Sequence, residues 1–306
     1  MERRYPLIEI DLTVAATLLE PLVGASRPQT LQLLTGGHIN TNYAVTLENG
    51  RRLVLRIFVQ GDAALRNETR AFRVVAGSVP IPRMYLEVCA PQSFAYPYTV
   101  LEWIEGVPLN MVLERYREAA LPLGQAVAAT LLAIRKQEFS GHTFLPFVEY
   151  IRSCLFERGA AQYLGRELTA RLWTLVQEQG PWLRELCQEQ TLVHGDFQGD
   201  NILVRKDIGG WRIAAVLDWE WANCGCWLRD MGSLLRFEAE SRATFQRGLE
   251  AGFSALGETL PCEWDRASRT FDLAALCEKL AYPRHRGEVT VRSIRTIERC
   301  LQDYAR

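Results

Sequence analysis

Two segments constrain this chain more than any others: His194-Gly195-Asp196-Phe197-Gln198-Gly199-Asp200-Asn201-Ile202-Leu203-Val204 and, further on, Leu217-Asp218-Trp219-Glu220. An HxD pattern whose Asp is followed five residues later by Asn, with a second Asp at the end of an apolar strand, has the order and spacing of a phosphoryl-transfer site. Such chemistry needs an acceptor hydroxyl held in line and metal ions that bridge phosphate oxygens. Magnesium takes oxygen ligands, which the Asp218 carboxylate and the Asn201 amide oxygen can supply. Asp196 would orient the acceptor hydroxyl and take its proton. Ile202–Val204 and Ile213–Leu217 read as two strands joined by the turn Asp207-Ile208-Gly209-Gly210. That hairpin would bring Asn201 and Asp218 to one end. The alternative is two unrelated acidic loops around a hairpin. A bare His-Gly-Asp would permit it, but the full constellation argues against it.

This stretch resembles the aminoglycoside phosphotransferase and choline kinase superfamily, the small-molecule branch of the protein-kinase-like fold. Trp219-Glu220-Trp221-Ala222 is similar to the continuation of that family's metal-binding segment, and Asp230-Met231-Gly232 to an Asp that braces the catalytic loop. On local grounds Asp230 could equally be the N-cap of a helix. His194 likewise resembles a brace of the loop backbone rather than a catalytic imidazole. The resemblance implies an α+β architecture, with a small antiparallel-sheet lobe over residues 1–103 and a larger, mainly helical lobe over 104–306.

The first third of the chain reads as a small sheet: strands at 30–34, 42–47 and 52–58, with Asn49-Gly50 as a hairpin signal between the last two. Gly36 and Gly37, between the first two strands, could let the backbone approach phosphates. They resemble the short glycine loop of the small-molecule kinases, although a plain turn is the commoner meaning of such a pair. The third strand lacks the lysine of protein kinases. Only Lys136, Lys206 and Lys279 occur, none in the first 135 residues. Arg56 stands at the matching position, as in choline kinases. Period-two alternation puts Val54 and Arg56 on one face, Leu55 and Ile57 on the other. By the resemblance, Val54 would cover adenine and Arg56 would reach phosphate. A helix at 62–76 would carry Glu68 as the ion-pair partner of Arg56, although Arg66, Arg70 and Arg73 leave an ordinary surface pair as the alternative. Tyr98–Gly106 resembles the fifth strand and hinge, where backbone around Glu102 and Ile104 would meet the adenine edge.

Composition excludes other classes. A net charge of −1 argues against a broad basic nucleic-acid face. No apolar run approaches the roughly 18 residues of a membrane span. The N-terminal acids break any signal-peptide core, so the cytoplasm is the expected location. Eight scattered cysteines then imply reduced thiols. Cys224 and Cys226 are close, but lack the further ligands that a zinc site needs. Helical patterns are expected at 121–138, 147–158, 165–178, 181–189, 231–255, 263–281 and 288–303.

The acceptor is harder to read. Residues 238–279 hold eight acids against five bases, whereas 281–306 hold six arginines against three acids. Trp211, Trp219, Trp221 and Trp227 could face a quaternary ammonium, though a tryptophan-rich core suits them better. The expected function is transfer of the γ-phosphoryl of ATP or GTP, with Mg2+, to a hydroxyl of a small molecule. The acceptor could be an aminoglycoside, a choline-like amino alcohol or a sugar. A catalytically inactive nucleotide-binding scaffold is the alternative of another class. A protein kinase is disfavoured by the lack of HRD, DFG and Ala-Pro-Glu segments.

Overall fold

Asp11 accepts a hydrogen bond from the Val14 N–H at 2.8 Å and so caps α1 (Leu12–Val23). The computed structural model describes residues 5–24, 26–35, 39–89, 94–140, 146–237, 240–281 and 287–304. This first helix was not expected from the sequence, because Pro21 interrupts its pattern. Its cap and its buried Ala15, Leu18 and Leu19 outweigh that proline. Five antiparallel strands come next: β1 (Pro28–Leu33), β2 (Thr41–Leu47), β3 (Arg52–Ile57), β4 (Met84–Val88) and β5 (Tyr98–Glu102), in the order β1-β2-β3-β5-β4. The β2–β3 turn is built as its Asn-Gly demands, with Gly50 at φ 79° and its N–H on the Leu47 carbonyl.

The alternation expected of β3 holds. Leu53, Leu55 and Ile57 join Leu18 and Leu19 of α1 in the core of the sheet lobe, while Val54 on the opposite face packs against the core of the helical lobe. The helix α2 (Asp62–Val75) buries Leu65, Glu68, Phe72 and Val75, and Phe72 and Val75 join the core of the helical lobe.

The helical lobe begins at β6 (Val107–Pro108) and continues through α3 (Leu109–Arg115), α4 (Ala120–Arg135), α5 (Phe147–Arg152) and α6 (Ala161–Leu186). The segment that carries His194 to Asp218 is built from β7 (Thr191–Val193), β8 (Ile202–Asp207), β9 (Gly210–Val216) and β10 (Asn223–Gly225). Helices α7 (Leu228–Leu234), α8 (Arg242–Ala255), α9 (Trp264–Ala281) and α10 (Glu288–Tyr304) complete the lobe. Strands β6, β8 and β9 form one small sheet, β7 and β10 another.

Three sequence expectations need correction. Residues 165–178 and 181–189 are not two helices: α6 runs through Pro181, because Leu175 and Val176 before it and Leu183 after it are all buried on one face. Its kink lies earlier, at Gly165. The helix expected at 231–255 is instead two, since the chain leaves α7 where Arg236 turns to Asp272, and re-enters at α8. Finally, Cys187 and Cys226 are not scattered in space: their sulfurs are brought into contact, with Cα atoms 5.6 Å apart. The antiparallel β7–β10 pairing brings these cysteines together across 39 residues, a proximity that scattered cysteines do not announce.

Candidate active site

Strand β7 delivers His194, and α7 anchors the turn at His194 and Gly195. Asp230 accepts the His194 N–H at 2.7 Å and the Gly195 N–H at 3.0 Å, one on each carboxylate oxygen. It sits inside α7, whose N-cap is Trp227, so the brace and not the helix cap is its role. Burial pushes the Asp230 carboxyl up, and His194 with the two N–H bonds pulls against that. The His194 ring is fully committed. Nδ1 accepts the Asp196 N–H at 3.2 Å and Nε2 faces the Leu217 carbonyl at 2.8 Å, which places a proton on Nε2. The indole of Trp219 lies 4.6 Å away, centroid to centroid, and the ring of Phe197 5.7 Å away. Gly195 has φ 86°, and a Cβ there would lie 2.3 Å from the Trp221 carbonyl oxygen. Only glycine fits this turn.

The loop presents Asp196 with one oxygen engaged and one open. Oδ2 accepts from Asn201 Nδ2 at 3.0 Å and from Gln198 Nε2 at 3.2 Å, whereas Oδ1 has no partner among the described residues. Asn201 Nδ2 also donates to the Asp196 carbonyl at 2.9 Å, which turns the amide oxygen of Asn201 away from the loop. The β8–β9 hairpin then does what its turn residues imply. The Leu217 N–H reaches the Asn201 carbonyl at 2.8 Å, so Asp218 emerges beside Asn201. Asp218 has φ 65° and ψ 62°, a left-handed conformation uncommon for non-glycine residues and concentrated at functional sites.

Arg56 is buried at the meeting of the lobes. Its Nε lies 2.9 Å from Glu68 of α2, and its Nη2 lies 2.5 Å from Asp218 and 3.6 Å from Glu220. The Glu68 contact is ionic more than it is an aligned hydrogen bond. Burial works against the guanidinium, but Asp218, Glu68 and Glu220 together more than offset it and hold its pKa above the ordinary value. One cation cannot neutralise three carboxylates. Burial, with added repulsion from Asp218, pushes Glu68 up to about 7 against the pull of Arg56, and pushes Glu220 up to about 8.

Glu220 has no role legible in the sequence, and neither have Asn40 and Asn67. Asn40 Nδ2 donates to Glu220, and Asn67 Nδ2 donates to the Glu220 and Ala222 carbonyls at 2.8 Å each. These links tie Asn40 and α2 to the Asp218–Ala222 segment. They join residues up to 180 positions apart, so no local signal could have revealed them.

Among the described residues no three or more His, Cys, Asp or Glu side chains form an all-protein metal cage. Magnesium does not ask for one, because it keeps waters and phosphate oxygens among its ligands. The turned Asn201 amide oxygen and the Asp218 carboxylate are a donor set that fits it. At the hinge, the Glu102 N–H is taken by the Arg83 carbonyl at 2.8 Å, and the Glu102 side chain accepts the Arg83 N–H at 3.1 Å. No hydrogen bond to the Ile104 backbone occurs among the described residues. Gly36 and Gly37 lie outside the described residues. Of the tryptophans, Trp219 and Trp227 are buried in the main core, as the core reading expects. A cavity of about 400 Å³ lined by Arg135, Glu189 and Glu258 includes none of these site residues.

Comparison with known proteins identifies the frame. The GDP and kanamycin complex of APH(2")-IIia superposes with a TM-score of 0.74 at 19% identity, over 96% of this chain and 99% of that one. A thermostable mutant of aminoglycoside phosphotransferase APH(4)-Ia in ternary complex with AMP-PNP and hygromycin B gives 0.70 at 21% identity, over 96% and 99%. The choline kinase LicA from Streptococcus pneumoniae gives 0.66 at 17%, over 95% and 99%. At these identities the likeness is one of fold, the kinase-like sheet lobe and helical lobe. Acyl-CoA dehydrogenase family member 10 of Mus musculus is 29% identical over 226 residues, which are 68% of this chain and 20% of that protein. The chain thus spans about a fifth of that relative's length. The sequence model of the APH phosphotransferase enzyme family matches residues 30–278, most of the chain, and the chain belongs to that family.

Proposed function

We propose that this phosphotransferase moves the γ-phosphoryl of ATP or GTP to a hydroxyl of a small molecule, with Asp196 as the base. The observation that carries this reading is the Asp196 carboxylate itself: Oδ2 is fixed by Asn201 and Gln198, and Oδ1 has no partner among the described residues. The acceptor O–H proton passes to Oδ1 as the O–P bond forms. The bond from the γ-phosphorus to the bridging oxygen breaks, and its electron pair leaves on the nucleoside diphosphate. Asn201 and Asp218 would hold Mg2+, which supplies charge neutralisation at the transferring phosphoryl. Arg56, positioned by Glu68, contacts phosphate as a fixed positive charge. Gly36 and Gly37 cover the phosphates, Val54 the adenine or guanine face, and the Glu102–Ile104 backbone its edge. His194 and Asp230 hold the loop without touching substrate. The lobes divide at residues 103/104, with the nucleotide between them. The cytoplasm, where nucleoside triphosphates are abundant, is the compartment this chemistry suits.

The test pairs Asp196→Ala with wild type. Turnover is expected to fall by at least about 1000-fold while magnesium-dependent thermal stabilisation by ATP or GTP persists. Near-wild-type turnover in Asp196→Ala would remove it as base. Absence of stabilisation of the wild type by both ATP and GTP would remove the kinase reading, and nucleotide binding without turnover on any acceptor would leave an inactive scaffold.

A further inference from the structure

The acidic excess of residues 238–279 would suit a polycationic acceptor if those acids faced the catalytic loop. Among the described residues most of them are engaged elsewhere. Glu240 pairs with Arg117, Glu258 with Arg135, Glu263 with Arg266, and Asp265 with Arg269, all on partly or well exposed surface. Glu278 is hydrogen-bonded to Tyr150, and Glu250 faces solvent.

What converges on Asp196 is cationic. Asp230 of α7 holds the catalytic loop, and two residues on, Gly232 packs so tightly on α9 that a Cβ there would lie 2.2 Å from the Ser268 carbonyl oxygen. Just past α7, Arg236 Nε lies 2.8 and 2.6 Å from the two oxygens of Asp272 on α9. This arginine therefore saturates the nearest acid of the late helices. Ser268, Asp272 and Lys279 recur at four and seven residues, which lines them along one face of α9, and the first two of them meet α7 and the residue just past it. The Asp196 carboxylate acts electrostatically on both Arg236 and Lys279.

Lys279 has no hydrogen-bond or ion-pair partner among the described residues. Its charged neighbours include two arginines, Arg236 and Arg292. Burial, followed by Arg236, lowers its pKa to about 8, with Asp196 and Asp272 only partly opposing. It still carries its charge near neutrality, half-buried between like charges, where an anion would be stabilising.

We propose that the acceptor of this enzyme is an anionic alcohol, whose carboxylate or phosphate ester is held by Lys279 while its hydroxyl lies at Asp196. The proposal rests on the phosphotransferase reading with Asp196 as base. It distinguishes this chain from an enzyme for polycations or quaternary amines, which would leave the Lys279 ammonium without a counter-charge.

Isothermal titration tests it with the full chain saturated in ADP and magnesium, so that the nucleotide site takes up no added anion. The ligands are glycerate, glycerol 3-phosphate, glycerol, choline and kanamycin, and phosphoryl transfer from ATP and GTP to the same five is followed alongside. At least one of the two anions is expected to bind about tenfold or more tightly than glycerol, the scale of a single charge-assisted hydrogen bond. The better of the two identifies the anion. Lys279→Met is expected to lose that preference about tenfold without changing glycerol binding, and Lys279→Arg to keep it. Choline or kanamycin binding as tightly as the better anion would overturn the proposal. So would neither anion exceeding glycerol, or unchanged anion binding in Lys279→Met. Should Lys279→Met not fold, the wild-type ranking and Lys279→Arg decide. Lys279-dependent anion binding without transfer from either nucleotide would sink the catalytic reading instead, so the two failures are distinct.

Discussion

Arg56→Ala removes the one cation that faces three carboxylates where the lobes meet. The side chains of Arg56, Glu68 and Glu220 are 8%, 1% and 5% exposed, so water cannot screen what remains. Deleting one partner of a buried ion pair costs about 3–5 kcal/mol, and the upper end applies here once pH is high enough for all three carboxyls to be ionised. At roughly 2.1 cal/mol/K of unfolding entropy per residue, a loss of about 5 kcal/mol in a chain of 306 residues lowers Tm by about 8 °C. The loss must also depend on pH, in a definite direction. Glu68 and Glu220 sit at about 7 and about 8, raised from 4.5, so the fold favours their neutral forms. A raised carboxyl contributes stability that is full below its unfolded value and disappears as pH climbs through its folded value. Without Arg56 both carboxyls rise further. The variant should therefore differ from wild type least near pH 5.5, where mainly the Asp218 pairing is lost, and most near pH 9. Calorimetry at pH 5.5, 7 and 9 measures this, with Arg52→Ala as control. Arg52 pairs with Glu105 at 2.7 Å, but the two are 39% and 71% exposed, and such a pair contributes about 1 kcal/mol at most. Equal losses at all three pH values would refute the reasoning, as would a loss no larger than that of the control.

Asp230→Ala leaves the His194 and Gly195 N–H groups buried and unpaired, which should cost roughly 2–5 kcal/mol in urea unfolding and abolish turnover; a loss below about 1 kcal/mol would remove Asp230 as the brace. Gly195→Ala forces a Cβ to within 2.3 Å of the Trp221 carbonyl at φ 86° and should cost more than about 3 kcal/mol. Gly50→Ala, at φ 79° with nothing within 4 Å, should cost only about 1 kcal/mol, and similar thermal shifts for the two would contradict this account of the turn.

The parts of the fold that the sequence revealed are those set by short-range chemistry. Asn49-Gly50 dictated the β2–β3 hairpin, alternation dictated which face of β3 carries Arg56, and Asp207–Gly210 set the hairpin that joins Asn201 to Asp218. What escaped was decided at a distance. Pro181 carries a local rule that ends helices, yet the buried apolar face of α6 overrides it. Helix α1 hides behind Pro21 for the same reason. The site divides the same way: the HxD, its Asn and the second Asp are legible because their spacing is the chemistry. Glu220 and Asn40 are not, because a carboxylate next to a metal segment and an amide after a glycine pair have no local reason to meet.

The acceptor shows why counting charges over a segment is a poor guide to a pocket. Eight acids against five bases in residues 238–279 describe a mildly acidic stretch, and by number alone that stretch would attract a cation. Number is not orientation. On amphipathic helices the charges that reach solvent are most numerous and least consequential, since each is screened and most are paired with an arginine of their own. The field at Asp196 is set by the few charges that helix packing turns inward. On α9 those are Asp272, which Arg236 saturates, and Lys279, which nothing among the described residues does. On the proposed reading, one half-buried ammonium that helix packing turns toward Asp196 therefore says more about the acceptor than a surface excess of three negative charges.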